Sequence, residues 1–172
     1  ERDFQVKGFK VRLPLDVLVV ASANPEDYTR RGRIITPLKD RYQAQIRTHY
    51  PLDVDIEMDV VEQEASVTAP DGLRVSVPPF MAEIVSAISQ NARRSPHVNQ
   101  RSGVSVRMSV ANYETMVANA TRRALRNGED DVVPRVSDLD SLASSTAGKV
   151  EFETVDDGRE EQVLDRIIKA AV

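Results

Sequence analysis

The 172-residue chain has no cysteine and no tryptophan, and aromatic residues make up only 5% of it. Without cysteine there is no disulfide framework, no thiolate metal site and no cysteine nucleophile. The two histidines, His49 and His97, stand apart, and neither has a partner ligand at a recognisable metal-binding spacing. No apolar run approaches the roughly 18 residues that a membrane span needs, and no signal-peptide pattern is present. The expected location is cytoplasmic. A surplus of positive charge is also missing: 23 Lys and Arg stand against 27 Asp and Glu, a formal net charge of −4. That balance exerts no general pull toward nucleic acid or anionic lipid. Two catalytic signatures are absent as well. There is no G-x-S-x-G and no phosphate-cradling G-x-x-x-x-G-K-[ST]; Ala147-Gly148-Lys149-Val150 lacks both the first Gly and the Ser/Thr. No strand-like run ends in an Asp-Glu pair able to hold magnesium.

What is present is an ordinary globular composition, 41% apolar and 29% charged, with a core to be built from Val, Ile, Leu and Ala. Phe4–Leu13 alternates apolar and polar around Lys7-Gly8, the pattern of a β-hairpin. Asp16–Pro51 is the organising stretch. Val17–Ala21 is a short apolar run and reads as a strand buried on both faces. Asn24 follows at its carboxyl end, where open parallel sheets collect their ligands. A loop over Asn24–Ile34 follows, then a short helix over Pro37–Tyr42 opened by Thr36-Pro37. Gln43–Tyr50 alternates and reads as a second strand, closed by Pro51.

Beyond Asp53 the pattern becomes helical. Asp53–Ala65 places Ile56, Val60 and Val61 at helical spacing. Pro78-Pro79 opens a helix with Phe80, Ile84 and Ile88 on one face and Met81 and Val85 beside them. Ser109 is the expected cap of a helix that Asn127-Gly128 ends. Ser137 begins a short helix to about Ser145, Val150–Val155 reads as extended, and Asp156–Val172 is a last amphipathic helix. The expected fold is therefore α/β plus all-α: part of an α/β layer in residues 1–51, then a helical domain in residues 52–172. The chain begins without Met in strand-like sequence and ends inside an amphipathic pattern. It reads as a piece of a longer protein, and its unpaired sheet edges predict self-association.

Three polar residues stand out. Asn24 is either an Asn-Pro turn starter or an amide that contacts phosphate and orients water. Arg41 is either a solvated cation beside Asp40 or a guanidinium that stabilises a transferred phosphoryl group. Arg107, in Gly103-Val104-Ser105-Val106-Arg107, is either surface charge or a phosphate contact from a second domain. Arg30-Arg31-Arg33, Arg93-Arg94 and Arg122-Arg123-Arg126 read as solvated faces or subunit contacts rather than a nucleic-acid surface.

Together these segments resemble the C-terminal part of an AAA+ ATPase of the magnesium-chelatase ATPase-subunit and MoxR-like group. An apolar strand ends in Ala23-Asn24-Pro25, Leu38-Lys39-Asp40-Arg41-Tyr42 is similar to the family's L-x-D-R-F, and Gly103–Arg107 is similar to the G-x-S-x-R of the lid. Tyr42 replaces the usual Phe. The resemblance implies the C-terminal half of the P-loop core, with hairpin, sensor 1 strand, arginine-finger helix and last strand, followed by a helical lid. It implies that Asn24 is the sensor 1 residue, Arg41 the arginine finger acting on a neighbouring subunit, and Arg107 the sensor 2 arginine. The complete protein would form a ring, use ATP and Mg2+, and remodel a partner carrying a von Willebrand A domain or drive metal insertion. The 172 residues alone are expected neither to bind ATP well nor to hydrolyse it. The alternative is a non-enzymatic regulatory or nucleic-acid-binding helical module.

Overall fold

A computed structural model describes residues 3–12, 18–23, 37, 40–100, 102–153 and 159–172. The chain divides into two compact units, Glu1–Gln45 and Ile46–Val172.

In the first unit β1 (Asp3–Val6) and β2 (Phe9–Arg12) form the expected antiparallel hairpin, with Asp3 opposite Arg12 and Val6 opposite Phe9. Its two-residue loop has φ of 48° at Lys7 and 89° at Gly8. Two positive φ values match the twist of a two-residue hairpin, which is why glycine suits the second position. The rest differs from expectation. Of Val17–Ala21, read as a two-sided buried strand, the described residues Leu18–Ala21 are irregular, and Leu18 and Val20 are 90% and 83% exposed. Gln43–Tyr50, read as a strand, is irregular and exposed, with Ile46 at 90%. Asp40 and Arg41 lie in a turn, although Pro37 is helical. The physical reason is the same in each case. An apolar or alternating run becomes a strand only when another backbone pairs with it, and β-propensity largely measures the packing that pairing provides.

The second unit is a helical bundle with one small sheet. It contains α1 (Val54–Glu64), β3 (Arg74–Val75), α2 (Pro79–Arg94), α3 (Arg107–Asn127), β4 (Asp131–Val132), a 3₁₀ helix (Val136–Ser141), α4 (Leu142–Ala147) and α5 (Glu160–Lys169). Asp53 caps α1, its carboxylate accepting from the Ile56 N–H at 2.9 Å. Pro79 stands at the start of α2, where its missing N–H costs nothing. Gly128 closes α3 at φ 68°, its N–H donating to the Ala124 carbonyl. β3 and β4 pair in parallel, Arg74 with Asp131 and Val75 with Val132.

The core runs along α2 and α3. Met81, Val85, Ile88 and Ala92 meet Met108, Met116, Ala120 and Ala124, with Leu142 and Ile167 closing the far side. Of the expected apolar set of α2, Met81, Val85 and Ile88 are buried and Ile84 packs against the core, but Phe80 is 51% exposed, a first correction. Packing of α2 against α1 and α3 sets that edge. A second correction concerns Ser109. It does not cap α3, which begins two residues earlier; Ser105 accepts the Arg107 N–H, and Ser109 is fully buried. The expected last helix is α5, burying Val163, Leu164 and Ile167. Of Val150–Val155, Phe152 makes an antiparallel bridge to Val98. Among the described residues no helix is long and apolar enough to cross a membrane.

Candidate functional site

The three residues singled out by sequence are distributed as follows. Asn24 lies outside the described residues. Arg41 belongs to the first unit, exposed in a turn beside Asp40. Arg107 belongs to the second unit and is the exposed first residue of α3.

Arg107 lines a groove of about 310 Å³ between α1 and the start of α3. Val60 and Glu64 of α1 form one side; Val106, Val110, Ala111 and Glu114 form the other. Glu114 also accepts from the Ser66 N–H at 2.9 Å, closing the end of α1 onto α3. A guanidinium at the first turn of a 21-residue helix adds its charge to the helix's own positive end. That combination suits one phosphate oxygen. The two glutamates disfavour a polyanion laid along the groove. Among the described residues no group of three or more His, Asp or Glu could hold a metal ion. Among the described residues of this unit, a phosphate-bearing ligand would meet a cation of this groove only at Arg107, and no magnesium-binding cluster accompanies it.

Behind Arg107 lies a buried polar network that the sequence reading missed. Glu57 of α1 is 0% exposed. Its carboxylate takes both arms of the Arg93 guanidinium, at 2.5 and 2.8 Å. It also accepts from Gln90 Nε2 at 3.2 Å and from Ser109 Oγ at 2.5 Å. Ser89 and Ser109 hydroxyls meet at 2.5 Å. Gln90 reaches on to the carbonyls of Pro51 and Asp53, and Arg93 Nε donates to the Val104 carbonyl at 3.0 Å. The Arg93 guanidinium lies 4.9 Å from the Tyr50 ring centroid. A buried ion pair is tolerated when its geometry is bidentate and its remaining atoms are bonded, as here. Removing one member of such a pair typically costs about 3–5 kcal/mol.

Gly103 completes the arrangement. Its φ is 68°, and a Cβ there would run into the Tyr50 hydroxyl. Any other residue would be strained by this backbone and would have to displace the Tyr50 hydroxyl, which gives the first position of the Gly103–Arg107 pattern a steric cause.

Of the arginine clusters, Arg94, Arg122 and Arg126 are exposed, while Arg93 and Arg123 are structural. Arg93 is in the network. Arg123 bonds Asp138, Glu129 and the Val133 carbonyl, and the Asp138 hydrogen bond raises its pKa above the ordinary arginine value. Arg30, Arg31 and Arg33 lie outside the described residues. One signal for Glu57 was available: it falls on the stripe with Val54 and Val61, at helical spacing of three and four. No protein-family model, no curated protein and no solved structure matches this chain.

Proposed function

We propose that this chain is the sensing and lid portion of a ring-forming ATPase of the magnesium-chelatase and MoxR-like AAA+ kind. The observation that carries the reading is Arg107: an exposed guanidinium on the first residue of the longest helix, lining a groove behind a glycine that only a tight loop requires. The apolar run Leu18–Val20 adds support, because exposed apolar residues in series mark a surface made to be covered. In this reading sheet strands outside these residues cover it.

In the working ring Arg107 holds a phosphate oxygen of its own subunit's nucleotide. Asn24 orients the attacking water, and Arg41 stabilises charge on the nucleotide of the next subunit. ATP-Mg2+ supplies the transferable phosphoryl group. The phosphate-cradling loop and acidic magnesium pair must come from sequence outside these 172 residues. Hydrolysis is then coupled to remodelling of a partner with a von Willebrand A domain, or to metal insertion, in the cytoplasm.

The test is Arg41→Ala in the assembled ATPase. Hydrolysis should fall about a thousandfold or more, the magnitude lost with an arginine finger, while nucleotide binding stays nearly intact. Hydrolysis that survives would remove Arg41 from this role.

A further inference from the structure

We infer that Glu57, Arg93 and Ser109 are positioning residues for Arg107, fixing the direction from which its guanidinium meets an anion. The inference rests on the reading of Arg107 as the phosphate contact and adds residues that the resemblance does not supply. The geometry is specific. Arg93 Nε holds the Val104 carbonyl, three residues before Arg107. Glu57 holds the Ser109 hydroxyl, two residues after it. Arg107 is thus bracketed by two contacts that converge on one buried ion pair, in which the Arg93 side chain is 11% exposed and that of Glu57 is 0% exposed. Val104 and Met108, at 1% and 0% exposure, anchor the same turn in the core. Between them Ser105 and Arg107 are exposed and Val106 is half-buried, and Arg107 carries the only charge of the three.

A network that merely stabilised the bundle would loosen every helix together when weakened. A positioning network loosens the Gly103–Val110 turn first, because local opening follows local hydrogen bonding. The experiment uses the full chain with Arg93→Lys and, as a milder change, Ser109→Ala. Lysine keeps the charge but loses the fork and the Val104 contact. Amide hydrogen exchange is read at Met108 and Val110, whose N–H groups donate to the Ser105 and Val106 carbonyls, and in α5 as the reference. ATP affinity is then measured in the assembled ATPase carrying each change, with Arg107→Ala as the reference.

Protection at Met108 and Val110 should fall about tenfold with α5 unchanged, the scale of one net hydrogen bond. ATP affinity of the assembled protein should fall by a similar factor. A uniform loss of protection, or no loss, overturns the positioning role. Local loosening with an ATP affinity that Arg107→Ala also leaves unchanged overturns the reading of Arg107 itself. Local loosening with wild-type affinity in both variants refutes the positioning role alone.

Discussion

At the scale of single residues, two positions lead to direct expectations. Gly103 combines a left-handed backbone with contact to Tyr50. Gly103→Ala should destabilise the chain by at least about 1 kcal/mol from backbone strain alone, with a further loss from the Tyr50 overlap. Tyr50→Phe in the same chain should recover part of that loss, because the hydroxyl is the nearest obstacle. Denaturant melts of the single and double variants measure both. Tyr113 gives a pH dependence. Burial, and secondarily the Glu62 carboxylate, raises its pKa above the ordinary value of 10.0. The folded state therefore holds the phenolic proton more tightly than the unfolded chain. The resulting stability is complete below the ordinary value and is lost as pH rises through the raised one. Melting followed from pH 9 to 11 should show an alkaline loss of stability that Tyr113→Phe reduces.

At the scale of elements, caps and stops do much of the defining. Asp53→Ala should cost about 1 kcal/mol, read as a lower denaturation midpoint, since its carboxylate satisfies the Ile56 N–H at the open end of α1. The same local chemistry explains which elements could be read from sequence. The Lys7-Gly8 hairpin, the Pro79 start of α2, the Gly128 end of α3 and the apolar stripe of α5 each follow from turn, cap or periodicity within a few residues. Leu18–Ala23 and Gln43–Tyr50 did not become strands because pairing is a property of two segments, and the sequence of one does not provide the other. β4 was invisible for the converse reason: two residues are too short for a pattern, and their partner β3 lies 57 positions earlier by register. In α2 the expected apolar set held the buried Met81, Val85 and Ile88, and only packing against α1 and α3 leaves Phe80 at its exposed edge.

The candidate site followed the same division. Arg107 stood out through its local pattern, Gly103 to Arg107, and it lies exposed at the first residue of α3. Arg93 was misread as solvated charge, because no local pattern distinguishes an arginine facing water from one facing a glutamate 36 residues away. Glu57, an acid on an otherwise acidic helix, was passed over for the same reason.

At the scale of the whole molecule, a hairpin-bearing unit carries Arg41 and a helical unit carries Arg107 near a buried ion pair. Each unit contributes one guanidinium to nucleotide chemistry in the proposed ring, Arg107 to the subunit's own phosphates and Arg41 to the neighbour's. The central claim is the first of these, and the measurement that tests it most directly is ATP affinity of the assembled protein carrying Arg107→Ala. Because the side chain is exposed, the substitution should leave the melting transition unchanged. Affinity should fall about tenfold or more, the scale of a lost charge-assisted hydrogen bond. Wild-type affinity and turnover in a ring built from this variant would contradict the account.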